Sequence, residues 1–368
     1  MDRSKIYGNT RQWWLGIHGD SMSVKLLDVA RAAQVSRSTA SNVFSSPERV
    51  GPKLRQQVEA AAKALGYAGP DPKGRILRAG KINAIGVLSP LRMGVADTLE
   101  NPVFAQFLLG AAQACDEVGA SLLIVPDLPN NNGIASALVD GFIFGRVEHI
   151  DQLDAASRRR LPFAVIDFDA GAGVNAVSID ARAGAKAAAK HLLELGHRRF
   201  GIMSFLRGDG PAKLFPAGPE RDAAMAGIQI DQEKLAGYTE AFAEYGLNVD
   251  DFPVVQAAAG DQNAADLMLD AAPDATAFLS MSVMQAMALI RNAQRRGMNV
   301  PRDLSVVGFN DIPQAAMMMP ALTTIDSRTR EKGWNAARLV LAAAKGEQVK
   351  LAPELIIRGS TAAPKTTP

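Results

Sequence analysis

Beyond residue 82 the chain alternates short apolar runs with stretches of helical period, and that alternation leaves few architectures open. Strand-like runs are predicted at Ala84–Leu88, Ser121–Val125, Gly141–Gly145, Phe163–Asp167, Phe200–Ser204, Thr276–Ser280 and Leu304–Gly308. Between most of them the apolar period becomes helical, over Pro102–Val118, Arg182–Leu195, Gln232–Tyr245, Met284–Arg296 and Thr329–Ala344. Strands that alternate with helices specify parallel sheets covered on both faces, the α/β class. About 280 residues is large for one such sheet, so two similar lobes with a cleft between them are expected. Ligands of open parallel sheets bind beyond the carboxyl ends of the strands.

The residues before this body follow another pattern. Residues 22–81 hold eleven basic side chains against four acidic ones, whereas residues 82–368 carry a net negative charge. A basic head attracts a polyanion by displacing its condensed counterions. Leu26, Val29, Ala30 and Ala33 mark one face of a short helix, and Ser36 suits the N-cap of a second, which continues that face with Ala40, Val43 and Phe44. A third follows the Val50-Gly51-Pro52 break, with Leu54, Val58, Ala61 and Leu65 on one side and Gly66 as its stop. Three short helices with a tight first turn form a helix-turn-helix unit. Its second helix turns Arg37, Ser38, Ser41, Asn42 and Ser45 away from the core, a polar face suited to the major groove. The stretch from Gly66 to Lys81 reads as a linker in which Arg75, Ile76, Leu77 and Arg78 form an apolar wedge flanked by cations. It is too short to be a stable helix alone and is expected to order on DNA or a partner.

Several function classes are disfavoured. No apolar run reaches the roughly 18 residues of a membrane span, and residues 1–21 lack a signal-peptide core, which points to the cytoplasm. That extension is expected to be foreign to the domain and dispensable. Cys115 is the sole cysteine, so an intrachain disulfide and a cysteine-based zinc site are both excluded. No GxGxxG, GxxxxGK(S/T) or GxSxG sequence occurs, and no cofactor, metal or enzymatic activity is implied. His191 and His197 would lie roughly 240° apart around a helix, the wrong geometry for shared metal binding. Structural roles are expected for them, core packing for Met317, Met318 and Met319, solvated turns for Asp250 and Asp251, and burial for Cys115.

Together these residues resemble one family. LLDVARAAQVSRSTASNVF and VGPKLRQQVEAAAKALGY are similar to the DNA-binding head of the LacI/GalR family of bacterial transcription regulators. NPVFAQFLLGAAQACDEVGASLLIV, VDGFIF, DARAGAKAAAKHLLELGHRRFGIMSF, LAGYTEAF, VPRDLSVVGFNDIP and LTTI extend the resemblance, in order, over nearly all of residues 24–346. The resemblance implies a homodimer, compatible with tetramers, that reads a palindromic double-stranded operator, and a two-lobed body like that of periplasmic sugar-binding proteins. It divides the chain into an extension (1–21), a helix-turn-helix domain (22–67), a hinge (68–81), an effector-binding and dimerisation body (82–360) and a tail (361–368). By resemblance Arg37, Ser38 and Asn42 read bases, Thr39 and Ser41 contact phosphate or orient the helix, and Leu77 wedges between central base pairs beside Arg75. Gly74 replaces a common alanine there, a cost of roughly 1 kcal/mol in helix propensity that makes the hinge lean more on DNA.

The effector pocket implied by the resemblance departs further from the family pattern. Asp167 matches a pocket acid, and Lys234 stands where an arginine is usual, which keeps the charge but loses the planar fork. Met281, Ser282 and Val283 replace an Ala-Asn-Asp motif, and Asn310 replaces an aspartate, with Asp311 beside it. The implied function is transcriptional repression controlled by a small molecule, a sugar by default. The alternative, a stand-alone solute-binding protein, conflicts with the basic head and the missing signal peptide.

Overall fold

The computed structural model describes residues 24–69, 80–89, 94–126, 133–145, 147, 151–206, 210–218, 229–259 and 261–365. The expected extension 1–21 and the expected hinge residues Arg75 and Leu77 lie outside the described residues. The chain divides into two compact units, one ending at Ile82 and the other beginning at Asn83.

In the first unit, α1 (Leu26–Ala32), α2 (Arg37–Ser45) and α3 (Pro52–Leu65) follow the helical periods of the sequence. Ser36 caps α2 by accepting a hydrogen bond from Thr39 N at 3.0 Å. Val29, Ala30, Ala33, Ala40, Val43, Val58 and Ala62 close a small core, and Gln57 Nε2 donates to the Ala33 carbonyl at 2.9 Å, tying α3 to the end of α1.

The second unit holds two sheets. One contains β1 (Ala84–Leu88), β2 (Ser121–Val125), β3 (Gly141–Phe144), β4 (Phe163–Ile166), β5 (Asn175–Ile179) and β12 (Gln348–Leu351), in the order β12-β5-β4-β3-β1-β2, every pair parallel. The other contains β6 (Phe200–Phe205), β7 (Lys213–Phe215), β8 (Val254–Ala257), β9 (Ala277–Ser280), β10 (Ser305–Phe309), β11 (Thr323–Asp326) and β13 (Glu354–Ile356). Its order is β13-β11-β10-β9-β6-β8-β7, with only the edge strands β13 and β7 antiparallel. The inner strands β1, β3, β9 and β10 are buried throughout, as strands covered on both faces must be. The chain builds the first lobe through β5 and the second through β11, then adds β12 to the first sheet and β13 to the second.

Each lobe is covered by a helix pair. On the first, α4 (Pro102–Val118) packs with α8 (Thr329–Leu341); on the second, α5 (Ala181–Glu194) packs with α6 (Gln229–Glu244). Asn101 caps α4, accepting from Val103 N and Phe104 N at 3.0 and 3.2 Å. Both pairs cross at a glycine: a Cβ on Gly333 would lie 2.1 Å from the Phe107 carbonyl oxygen, and one on Gly237 would lie 2.2 Å from that of Arg182. Only a residue without a side chain lets the backbones approach this closely.

Several details differ from the sequence expectation. Strands β5, β7, β8, β11, β12 and β13 fall outside the predicted runs. They are three to five residues long, and β7, β12 and β13 are exposed or half-buried edge or near-edge strands without a continuous apolar signal. Met318 packs on the second-lobe core, but Met317 and Met319 are exposed, because they flank the end of a surface helix, Pro313–Met317. Cys115 is buried in α4, where burial and the neighbouring Asp116 push its thiol up to about 11. His191 bonds Thr361, and His197 lies between Thr276 and the Ala362 carbonyl, so both join the body to the chain's last described residues.

Candidate functional site

On the head, α2 exposes Arg37, Ser38 and Asn42, while Thr39 and Ser41 are half-buried. The hydroxyls of Ser38 and Thr39 each lie 2.7 Å from Ser36 Oγ, so both belong to the cap that starts the helix. Ser45 Oγ donates to the Ser41 carbonyl. Among the described residues Arg37 and Asn42 have no such tie, and they present the longest polar side chains of this face.

In the body, all four effector candidates stand near the carboxyl ends of strands or on a helix packed over them. Asp167 follows β4, Ser282 follows β9, Asn310 follows β10, and Lys234 lies on α6. Asp167 accepts the Ile179 backbone N–H on Oδ1 at 3.0 Å and the Lys332 ammonium on Oδ2 at 2.5 Å, which engages both oxygens. Lys332 comes from α8 and is only 5% exposed. At the base of α8, Ser327 Oγ donates to Asn310 Oδ1 at 2.5 Å and lies 3.0 Å from Thr329 Oγ1. A single stretch from Ser327 to Lys332 therefore touches Asn310 of the second lobe and Asp167 of the first.

Lys234 is 3% exposed and sits over the ring of Phe309, the residue before Asn310, with Nζ 4.5 Å from the ring centroid. It donates to the Met281 carbonyl at 3.1 Å and lies 3.5 Å from Asp231 Oδ1. Ser282 Oγ accepts from Met284 N at 3.2 Å and caps α7 (Val283–Arg295); Val283 and Met281 are fully buried packing residues. The structure thus joins Asp167, Asn310, Lys234 and Ser282 through Lys332, Ser327, Phe309 and Met281. Asp167, Asn310 and Arg328 adopt left-handed backbone conformations, with φ of 50°, 70° and 52°, a strain that collects at ligand-binding positions.

Lys332, Ser327 and Thr329 were not among the sequence candidates. A signal existed: Thr329, Lys332, Gly333, Ala336, Ala337 and Val340 form the buried stripe of α8, and a lysine on such a stripe needs a partner. Two hydroxyls were missed as well. Ser89, just after β1, and Ser204, near the end of β6, are buried and meet no hydrogen-bond partner among the described residues. Ser204 lines a small recess with Phe205, Asp231, Gln256 and Met281. A larger cavity of about 610 Å³ opens beside this network, between Gln106 and Gln113 of α4, the Asp311–Pro313 turn and Thr329, Arg330 and Trp334 of α8; none of the four effector candidates lines it. Among the described residues no cluster of His, Cys, Asp and Glu could hold a metal ion, and no helix is long and apolar enough to cross a membrane.

Comparison with known proteins bears on both units. Residues 25–69 match the family model for bacterial regulatory proteins of the lacI family, and residues 189–361 match a periplasmic binding protein-like domain. An HTH-type transcriptional regulator of Mycobacterium tuberculosis is 32% identical over 356 residues, which covers 92% of this chain and 97% of the relative. Among solved structures, a lac repressor dimer bound to operator and the anti-inducer ONPF has a TM-score of 0.72 at 24% identity, with 92% of this chain and 99% of that chain covered. A complex of the transcriptional regulator CelR with cellobiose has a TM-score of 0.61 at 24% identity, with the same coverage. A helix-turn-helix head, a two-lobed parallel-sheet body and this shared length lead to one assignment: the chain belongs to the LacI family of bacterial transcriptional regulators.

Proposed function

We propose that the protein is a cytoplasmic repressor that binds a palindromic operator as a homodimer and changes its operator affinity when a small molecule, of the sugar class, occupies the body. On this reading the extension is 1–21, the DNA-binding domain 22–67, the hinge 68–81, the body 82–360 and the tail 361–368, and the chain has no enzymatic role. Arg37, Ser38 and Asn42 read base edges, Thr39 and Ser41 contact phosphate or orient the helix, and Arg75 and Leu77 act at the operator centre. Asp167, Lys234, Ser282 and Asn310 form the effector site. The observation that carries the reading is the track from Asp167 through Lys332 and Ser327 to Asn310, which ties one crossover segment to both lobes. A ligand seated there contacts both lobes, so its binding favours one lobe arrangement and couples reciprocally to DNA affinity. The cellobiose held by CelR supports the sugar class.

The test uses the full chain. Selection from random duplexes should return a palindrome, and Asn42→Ala should relax preference at one symmetric position by about 1–3 kcal/mol. A thermal-shift screen of sugars should find a ligand that stabilises the protein by about 2.7 kcal/mol at a hundredfold excess over Kd. That ligand should change operator affinity in fluorescence anisotropy. Failure to select a palindrome, or a ligand without effect on operator affinity, would refute the proposal.

A further inference from the structure

Hydrogen-bonding capacity in the effector site is unevenly spent. Both oxygens of Asp167 are committed, one to Lys332 and one to the Ile179 N–H. Asn310 has spent its oxygen on Ser327, and Ser282 has spent a lone pair on the cap of α7. The donors are less used. Lys332 carries three N–H bonds, and among the described residues its ammonium meets only Asp167, although the side chain is 6% exposed. Among the described residues the Asn310 side chain is engaged through its oxygen, by Ser327, and the hydroxyls of Ser89 and Ser204 have no hydrogen-bond partner.

A buried ammonium with two uncommitted N–H bonds is costly unless a ligand supplies acceptors. A neutral polyol offers hydroxyls, which suit Ser89 and Ser204 but match a cation only weakly. An oxyanion offers several lone pairs and charge, and charge-assisted bonds are about twice as strong as neutral ones. The aspartates that resemblance would place at residues 283 and 310 are here Val283 and Asn310, so two sources of repulsion toward an anion are gone.

We infer that the effector is a polyhydroxylated oxyanion, a sugar derivative bearing a carboxylate or a phosphate, whose anionic group is held by Lys332 and Asn310 while its hydroxyls meet Ser89 and Ser204. The inference rests on the proposed effector site and narrows its ligand class. Asp167 holds Lys332 in position and limits its charge while the site is empty.

Calorimetry on the full chain, at fixed salt and pH, tests this with gluconate and glucose 6-phosphate against glucose and cellobiose. Gluconate and glucose 6-phosphate separate the carboxylate from the phosphate, and inorganic phosphate alone measures the anionic contact without hydroxyls. At least one anionic sugar should bind ten times more tightly than glucose, and more tightly than inorganic phosphate. Lys332→Met should remove that preference, and Lys332→Arg should restore it; a merely structural lysine would not separate the two ligand classes. Should Lys332→Met fold poorly, the Asp167→Asn, Lys332→Met double variant removes the unpaired carboxylate and should show the same loss of preference. Glucose or cellobiose binding as tightly as both anionic sugars would overturn the inference and leave the sugar-effector proposal standing. An anion preference that survives both Lys332 variants would overturn it as well. If neither class binds, both this inference and the proposed effector function are wrong.

Discussion

The two lobes solve one packing problem alike and one electrostatic problem differently. Each lays a helix across its neighbour at a glycine, Gly333 on the first lobe and Gly237 on the second, and each carries a buried lysine on the same helix. Lys332 meets a carboxylate, Asp167, at 2.5 Å. Lys234 is held by a carbonyl at 3.1 Å, by Asp231 at 3.5 Å and by the faces of Phe309 and Phe205, at 4.5 and 5.4 Å from the ring centroids. Among the described residues one charge is neutralised by a single close partner; the other is spread over dipoles, rings and a more distant acid. Losing a sole partner should therefore cost more than losing one of several.

The largest expected effect follows. Asp167→Ala should destabilise the protein by about 3–5 kcal/mol, the range for stranding one member of a buried pair. Asp231→Ala should cost about 1 kcal/mol, since carbonyl and ring contacts remain. Urea unfolding measures both, and equal losses would end the distinction between the lysines.

The glycine crossings should instead behave alike. Gly333→Ala and Gly237→Ala each force a methyl into a carbonyl oxygen, and overpacking of this kind costs about 1–3 kcal/mol. Unfolding midpoints that fall by similar amounts would support a shared packing solution. A loss in one variant alone would mean that one helix pair can shift where the other cannot.

What the sequence disclosed follows the same division between packing and charge. The limits of β1, β2 and α4 are predicted to the residue from the change of apolar period, and the structure adds an Asn101 cap and a left-handed Gly119 at the two ends of α4. The edge strand β12, Gln348–Leu351, escapes because its register is set by pairing with β5, some 170 residues away, and not by a local pattern. In the buried network around Lys332 and Lys234, the candidates Asp167, Lys234, Ser282 and Asn310 came from resemblance alone. Their partners were not legible, since Lys332 meets Asp167 across 165 residues of sequence. In the head, Ser36 just ahead of the second helical run sufficed to predict the cap.

A smaller effect isolates the ring that supports Lys234. Phe309→Leu removes both apolar volume and the cation–π contact, whereas Phe278→Leu, in the same sheet, removes volume alone. The first should cost about 1 kcal/mol more than the second, the usual size of such a contact. Equal losses would show that the ring only fills space.

The smallest effect concerns acid. In the second lobe, burial holds the His197 imidazole below its ordinary 6.5, partly opposed by the hydrogen bond to the Ala362 carbonyl, while His191 and Arg198 lower it further. Burial also lowers His191, against Glu194. Among the described residues the first lobe has no histidine. A histidine with a depressed folded pKa contributes stability above about 6.5 and loses it as pH falls toward the folded value, because the unfolded chain then binds more protons. Between pH 7.5 and 5.5 the second lobe should therefore weaken more than the first. Hydrogen exchange, corrected for intrinsic rates, should reveal this as reduced protection in β6 and β10 at pH 5.5, with β1 and β3 nearly unchanged. His197→Gln keeps a hydrogen-bonding side chain that does not titrate, so it should flatten the response. An undiminished response in that variant, or equal losses in both lobes, would mean that acid acts through other groups.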